Sequence, residues 1–417
     1  MKSFCCYLSF AAVAVAMLGM ALVARGAISG VTLWPNGRAP QVACSGGIAL
    51  ERILDVPARN GLTPLFPGLA WVGRHRLAVA ASGRKLLLWN LTHADAKLST
   101  SLFKLDRRAL IVRLFGNKNA LRVLSLLSPK PNRPSVLEIT SLSLRNINKQ
   151  SISSFRLPPL AVPPEEHLYQ PFISAVIPAS GGWLAAIPLP AAIGEGINIL
   201  RMRTGRLVGP RIPLFEPWNA IFCSADGQWL AWVCGGHTLR VISVGKKTRV
   251  TRIDRLISQS LATGALSPHG RRALVMTSVR GPPGGPVRAI LVRTADPLRE
   301  RVMHLWGRLD PAVVQCRPHF TRSGALAAMA ALKIRTPKWP VDIWIISTTD
   351  FTVRCCIRLR FEFPQDLVFS PNGSRLAVEG NYHVLIFRLP KAWPPAWESG
   401  RTSWQWSWTH PRTVRLR

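Results

Sequence analysis

The stretch Leu367-Val-Phe-Ser-Pro-Asn-Gly-Ser-Arg-Leu-Ala-Val378, followed by Tyr382-His-Val-Leu-Ile-Phe387, decides how this chain folds. It reads as an apolar strand, a tight Asn-Gly turn, a second apolar strand, a short polar loop and a third strand. A second copy runs Ile221-Phe-Cys-Ser-Ala-Asp-Gly-Gln-Trp-Leu-Ala-Trp-Val233 and then Thr238-Leu-Arg-Val-Ile-Ser243. A unit this small cannot bury both of its faces alone. Its repetition therefore implies stacking against further copies.

The turns serve as rulers along the chain. They fall at Ala179-Ser-Gly-Gly182, Ser224-Ala-Asp-Gly227, Ser267-Pro-His-Gly270, Thr321-Arg-Ser-Gly324 and Ser370-Pro-Asn-Gly373. Their last glycines stand 45, 43, 54 and 49 residues apart. Two looser copies precede them. One is Leu69-Ala-Trp-Val72 with Arg76-Leu-Ala-Val-Ala80 and Leu86-Leu-Leu-Trp-Asn90. The other is Leu110-Ile-Val-Arg-Leu114, Gly116-Asn117 and Leu121-Arg-Val-Leu124. Ser, Asp or Asn caps each turn, and Gly supplies the positive φ that closes it. No segment of the body keeps a 3.6-residue apolar period, so few helices are expected.

A period of roughly 40–50 residues, with room for four strands, is the spacing of a propeller blade. Residues 67–390 hold seven such units. The fold expected is all-β: a single seven-bladed β-propeller of four-stranded antiparallel blades, after an N-terminal signal or anchor helix. The units resemble the WD40-like and TolB-like β-propeller repeats, in which a Ser-Pro-Asp-Gly-type turn precedes a strand reading Trp/Arg-Leu-Ala. Ser224-Ala-Asp-Gly-Gln-Trp-Leu-Ala231 and Ser370-Pro-Asn-Gly-Ser-Arg-Leu-Ala377 carry that pattern. Leu88-Trp89-Asn90-Leu91 and Ile343-Trp-Ile-Ile346 resemble the third-strand ending. The Gly-His and Trp-Asp dipeptides of strict WD40 repeats are missing. The resemblance implies ring closure by a terminal strand. Ile48–Val56, within the N-terminal segment 28–66, is favoured over Ser403-Trp-Gln-Trp-Ser-Trp408 in the C-terminal tail 391–417.

Composition admits a large core, with 48% of the 417 residues apolar and 18% charged. The charge is one-sided: 54 Lys and Arg against 20 Asp and Glu, a formal +34. Arginine dominates the excess, and the basic residues are scattered rather than clustered. A compositional bias toward arginine on solvated strand faces accounts for this, and so does contact with a polyanion. Nucleic acid is the less favoured anion, because no basic cluster marks a groove.

Residues 1–27 read as a signal peptide or membrane anchor. Lys2 supplies a positive start, Leu8–Ala24 an apolar run, and Ala24-Arg25-Gly26-Ala27 a small-residue exit. Either reading places the body outside the cytoplasm: periplasmic, secreted or anchored facing outward. Beyond the leader pair Cys5 and Cys6, Cys44, Cys223, Cys234, Cys316, Cys355 and Cys356 form no Cys-x-x-Cys motif. Most are expected to be buried apolar residues.

The resemblance puts binding surfaces on the end that carries the second-to-third-strand loops and the connections between blades. Here those are the long loops Pro188–Glu195, Gly281–Pro286 and Lys333–Pro340, and the connector Pro158–Pro171. Lys333, Arg335, Lys338 and Trp339 form the best cationic-aromatic cluster, with Arg280 and Trp218 brought alongside by neighbouring blades. Cations beside an indole suit a phosphate, a carboxylated sugar or a base. Glu165-Glu166-His167 is the one compact acid and imidazole set, and an exposed acidic loop explains it. Trp393, Trp397, Trp404, Trp406 and Trp408 with Arg401, Arg412, Arg415 and Arg417 suit either packing on an outer blade or a membrane interface. No metal-protease, phosphate-loop, nucleophile-elbow or EF-hand spacing occurs. The function expected is a non-enzymatic exported scaffold that binds a protein or an anionic envelope polymer. No cofactor or metal is expected. The alternatives are a propeller-based lyase, hydrolase or quinone-dependent oxidoreductase, and a charge-driven polyanion binder.

Overall fold

The computed structural model describes residues 41–56, 68–82, 85–92, 98–99, 109–116, 120–127, 136–143, 150–156, 175–179, 182–189, 196–201, 206–207, 212–213, 218–225, 228–234, 238–243, 251–253, 262–278, 287–294, 296–304, 312–333, 341–360, 364–380 and 383–393. Among these there is no helix, and the strands fall into seven antiparallel sheets. In chain order, sheet one runs from Leu69–Val72 to Leu98–Ser99 and sheet two from Ala109–Gly116 to Gln150–Arg156. Sheet three runs from Ala175–Ala179 to Arg206–Leu207, with Ile212–Pro213 added beside Gly196–Arg201. Sheet four spans Trp218–Cys223 to Thr251–Ile253, sheet five Ala262–Leu266 to Asp296–His304, and sheet six Ala312–Phe320 to Thr352–Arg360. Sheet seven takes Asp366–Phe369, Arg375–Glu379 and His383–Arg388 from the end of the chain. Its fourth strand, Ala49–Asp55, comes from the start. The turn motifs that begin at Ser224, Ser267, Thr321 and Ser370 each join the first two strands of one sheet.

The turn chemistry repeats in atomic detail. In sheet five, Gly270 N donates to Ser267 O at 2.8 Å, and Arg272 N donates to Ser267 Oγ at 3.0 Å. Thr321 takes the same place in sheet six, with Leu326 N on its Oγ1 at 3.2 Å. In sheet seven, Arg375 N reaches Ser370 Oγ at 2.9 Å. In sheet four, Trp229 N reaches Ser224 Oγ at 3.0 Å. A hydroxyl is therefore needed at this position to satisfy the first amide of the second strand. Gly270, Gly324 and Gly373 have φ of 66°, 72° and 69°, which a side chain would oppose.

The cores lie between sheets, and this changes the strand pattern. Val341–Ser347 is buried at all seven residues, because sheets five and seven cover its two faces. A strand covered on both sides reads as a continuous apolar run rather than an alternating one. Leu274, Met276 and Leu291 of sheet five pack with Met329, Trp344 and Cys356 of sheet six. Ile343, Ile345 and Ile357 of sheet six pack with Leu367, Leu376 and Leu385 of sheet seven. Leu69, Trp71 and Leu77 of sheet one pack with Ala377, Val384 and Ile386 of sheet seven. Trp71 Nε1 also donates to Val368 O at 3.2 Å, so the first and last sheets of the chain touch.

The N-terminal segment does two things, one of them not expected from the sequence. Ala49–Asp55 pairs with His383–Arg388, and Glu51 holds Arg375 through two bonds of 2.8 Å. Ahead of it, Gln41–Cys44 forms a fifth strand on sheet six against Thr352–Arg360. Between the two strands, Ser45 Oγ accepts from Cys356 N at 2.8 Å and Gly46 and Gly47 turn the chain at positive φ. Residues 1–27 and 403–408 lie outside the described residues. Among those described, no helix is long and apolar enough to cross a membrane.

Candidate binding surface

Antiparallel order gives every sheet two distinct ends. The Ser/Thr-x-x-Gly turns occupy one. The start of each first strand, the end of each second strand and the connections to the next sheet occupy the other, here called the loop end. Trp218 opens the first strand of sheet four and pairs with Cys234, the last residue of the second strand. Lys333 closes the second strand of sheet six and pairs with Ala312, which opens the first. Both expected site residues thus stand at the loop end of their sheets. Sheet five lies between them, with Ala262–Leu266 beside both Trp218–Cys223 and Ala312–Phe320. Arg280, Arg335, Lys338 and Trp339 lie outside the described residues, as do Glu165, Glu166, His167 and the connector 158–171. Of the Trp-rich tail, Trp393 is described, and it packs partly buried against the core between sheets six and seven.

A buried ion pair stands at the start of the third strand of sheet six. Asp342, the second residue of Val341–Ser347, is 2% exposed and pairs directly with Arg358 across the strands. Arg358 donates from Nε at 2.5 Å and from Nη2 at 2.7 Å, a two-pronged grip on one carboxylate. Burial alone would lower the Arg358 pKa, but the hydrogen bond and charge of Asp342 outweigh it and hold the guanidinium above its ordinary value. The pair ties the third strand of sheet six to the fourth at the loop end. A two-pronged tie between neighbouring strands suits a rigid base.

Cys44, Cys316, Cys355 and Cys356 are poor nucleophiles. Burial pushes Cys44 up to about 12, and burial pushes Cys316, Cys355 and Cys356 well above the ordinary thiol value. A thiol held protonated attacks weakly. Among the described residues, no three His, Cys, Asp or Glu side chains gather as metal ligands. A cluster that the sequence left scattered does form, however. Arg272, Arg293 and Arg301 come together at the turn end of sheet five. One signal pointed to it: arginines bracket the second-to-third-strand hairpin at both of its feet.

No family model matches the chain, and no curated protein matches it. Among solved structures, 1057 chains match. One belongs to a structure described as the crystal structure of a mitotic checkpoint complex. It is 13% identical, with 82% of this chain and 94% of that one covered, at a TM-score of 0.53. Identity that low identifies the fold alone. Together with the seven antiparallel sheets, it makes this an all-β, propeller-like protein.

Proposed function

We propose that this is an exported, non-enzymatic seven-bladed propeller, closed by Ala49–Asp55, that binds a protein or anionic partner at its loop end. The observation that carries this reading is the register of Trp218 and Lys333. Residues 115 positions apart in sequence stand at matching ends of sheets four and six, the end at which the first strand of sheet five also begins. The loops that hold Arg280, Arg335, Lys338 and Trp339 leave from that same end. A rigid frame with long loops on one side presents binding groups at little entropic cost. The likeness to a chain of a multiprotein complex agrees with a scaffold role, and the leader-like residues 1–27 agree with export.

The test has two arms. Mass spectrometry of the exported protein is expected to find a chain that starts at Arg25 or Ile28, as cleavage after Ala24 or Ala27 requires. An intact Met1 in a cytoplasmic fraction overturns export. On a sulfated polysaccharide column, the Lys333→Ala, Arg335→Ala, Lys338→Ala triple variant is expected to elute at clearly lower salt than the parent. Elution at unchanged salt overturns the loop-end surface.

A further inference from the structure

We propose that Arg272, Arg293 and Arg301, at the turn end of the seam between sheets five and six, form a binding site for a tetrahedral dianion of the phosphate or sulfate type. The site lies at the opposite end of the sheets from the loop-end surface and does not rest on it.

Register brings the three together. Arg272 and Arg293 are direct cross-strand partners, and Arg301 pairs with Leu291, two residues from Arg293. Alternation puts all three on the face of sheet five that carries Leu274, Met276 and Leu291, the face turned to sheet six. Arg272 is half-buried, whereas Arg293 and Arg301 are exposed. Two of the guanidiniums are aimed by neutral acceptors of sheet six. Arg272 Nη1 donates to Thr348 Oγ1 at 2.6 Å, and Arg301 Nη1 donates to the Asp350 backbone carbonyl at 3.0 Å. Thr348 is itself fixed, donating to Gly324 O at 2.5 Å.

Neutral acceptors orient a guanidinium without cancelling its charge. Asp350 is engaged by Arg354, and Asp296 is the register partner of Arg293. Against them stand the three arginines, with exposed Arg271 and Arg322 on the adjoining turns. Burial, then the charges of Arg293 and Arg301, push the Arg272 guanidinium below its ordinary value. Like charges held this close are a cost that an anion between them removes. Planar guanidiniums, each offering paired N–H groups, match the oxygen edges of a tetrahedral dianion. The same chemistry is presented by a free ion and by a phosphate group carried on a polymer.

The experiment is thermal unfolding of the full chain in sodium phosphate against sodium chloride of equal ionic strength. Phosphate is expected to raise the midpoint saturably. Arg293→Gln, which removes an exposed side chain, and Arg301→Gln are each expected to weaken the apparent affinity at least tenfold. In chloride, Arg293→Gln is expected to leave the midpoint unchanged or higher, because a like charge is gone. A phosphate shift retained at parental strength in both variants overturns the site and leaves the arginines as ties between sheets. No phosphate-specific shift in the parent overturns it too. Linear polyphosphate separates the sources: tighter binding per phosphate than the free ion identifies a polymer-borne group, and equal binding identifies the free ion. The Lys333, Arg335, Lys338 triple variant is expected to keep the phosphate shift, so failure at one end does not touch the other.

Discussion

The two ends of the sheets are built by different chemistry. At the turn end, four residues close the hairpins at 267–270, 321–324 and 370–373, and a hydroxyl and a glycine within those four satisfy the backbone. At the loop end, the second strand of sheet six stops at Lys333 and the third resumes at Val341. Local closure makes the turn end repetitive and hard to vary. The sequence that joins Lys333 to Val341 repeats no such motif, and under the proposed function that is where recognition residues vary.

The strongest way to break this comparison is at Gly116, which ends the first strand of sheet two. A Cβ there would lie 1.7 Å from Trp71 O and 2.6 Å from Trp71 C. Both contacts are to backbone, so no rotamer relieves them. Trp71 also reaches Val368 O, so displacing it strains the seam to sheet seven as well. Gly116→Ala is expected to cost more than about 4 kcal/mol in denaturant unfolding, or to prevent folding. A loss below about 1 kcal/mol would mean that the sheets slide past one another freely at this end.

At the loop end the largest effect is expected at the Asp342–Arg358 pair. Arg358→Ala leaves the Asp342 carboxylate buried without its partner, a change worth about 3–5 kcal/mol. Replacing both with apolar residues, Asp342→Leu with Arg358→Met, is expected to recover most of that. If the single variant is as stable as the parent, the loop end has no firm base and the contrast with the turn end deepens.

How much was legible follows the same division. Every turn with its hydroxyl and glycine was readable, because four adjacent residues hold the whole motif. So was Ala49–Asp55 as a strand. Gln41–Cys44 was not: four residues, Gln-Val-Ala-Cys, carry no turn or period, and their place on sheet six is set by an edge more than 300 residues away. Lys333 and Trp218 could be assigned to one end because each belongs to a strand that the repeat defines. The Arg272, Arg293 and Arg301 cluster was missed because cross-strand register, not sequence distance, brings it together.

Alkaline pH probes the outer edge that the repeat does not explain. The Cys44 thiol goes from an ordinary 9.0 to about 12 on burial. A raised folded value means that the folded chain keeps the proton while the unfolded chain loses it. Stability is therefore full below pH 9.0 and falls as pH climbs toward about 12. The slope from this group approaches about 1.4 kcal/mol per pH unit. Cys316, Cys355 and Cys356 shift in the same direction and steepen the fall. Cys44→Ala is expected to reduce the slope by one proton's share, measured as unfolding midpoints from pH 8 to 11 by roughly unit steps. An unchanged slope would mean that Gln41–Cys44 leaves sheet six before the rest unfolds.

The smallest effects give the cleanest contrast between the ends. Ser370→Ala removes the acceptor for Arg375 N, a bond of 2.9 Å, and is expected to cost about 1 kcal/mol. Ser370 is 1% exposed, so water does not replace the hydroxyl easily. The Lys333, Arg335, Lys338 triple variant changes three residues rather than one, yet is expected to stay within about 0.5 kcal/mol of the parent. The first change should lower the unfolding midpoint and leave retention on the polysaccharide column alone. The second should do the reverse. If the triple variant loses stability as Ser370→Ala does, the basic loop is part of the frame, and the division between a frame end and a recognition end fails.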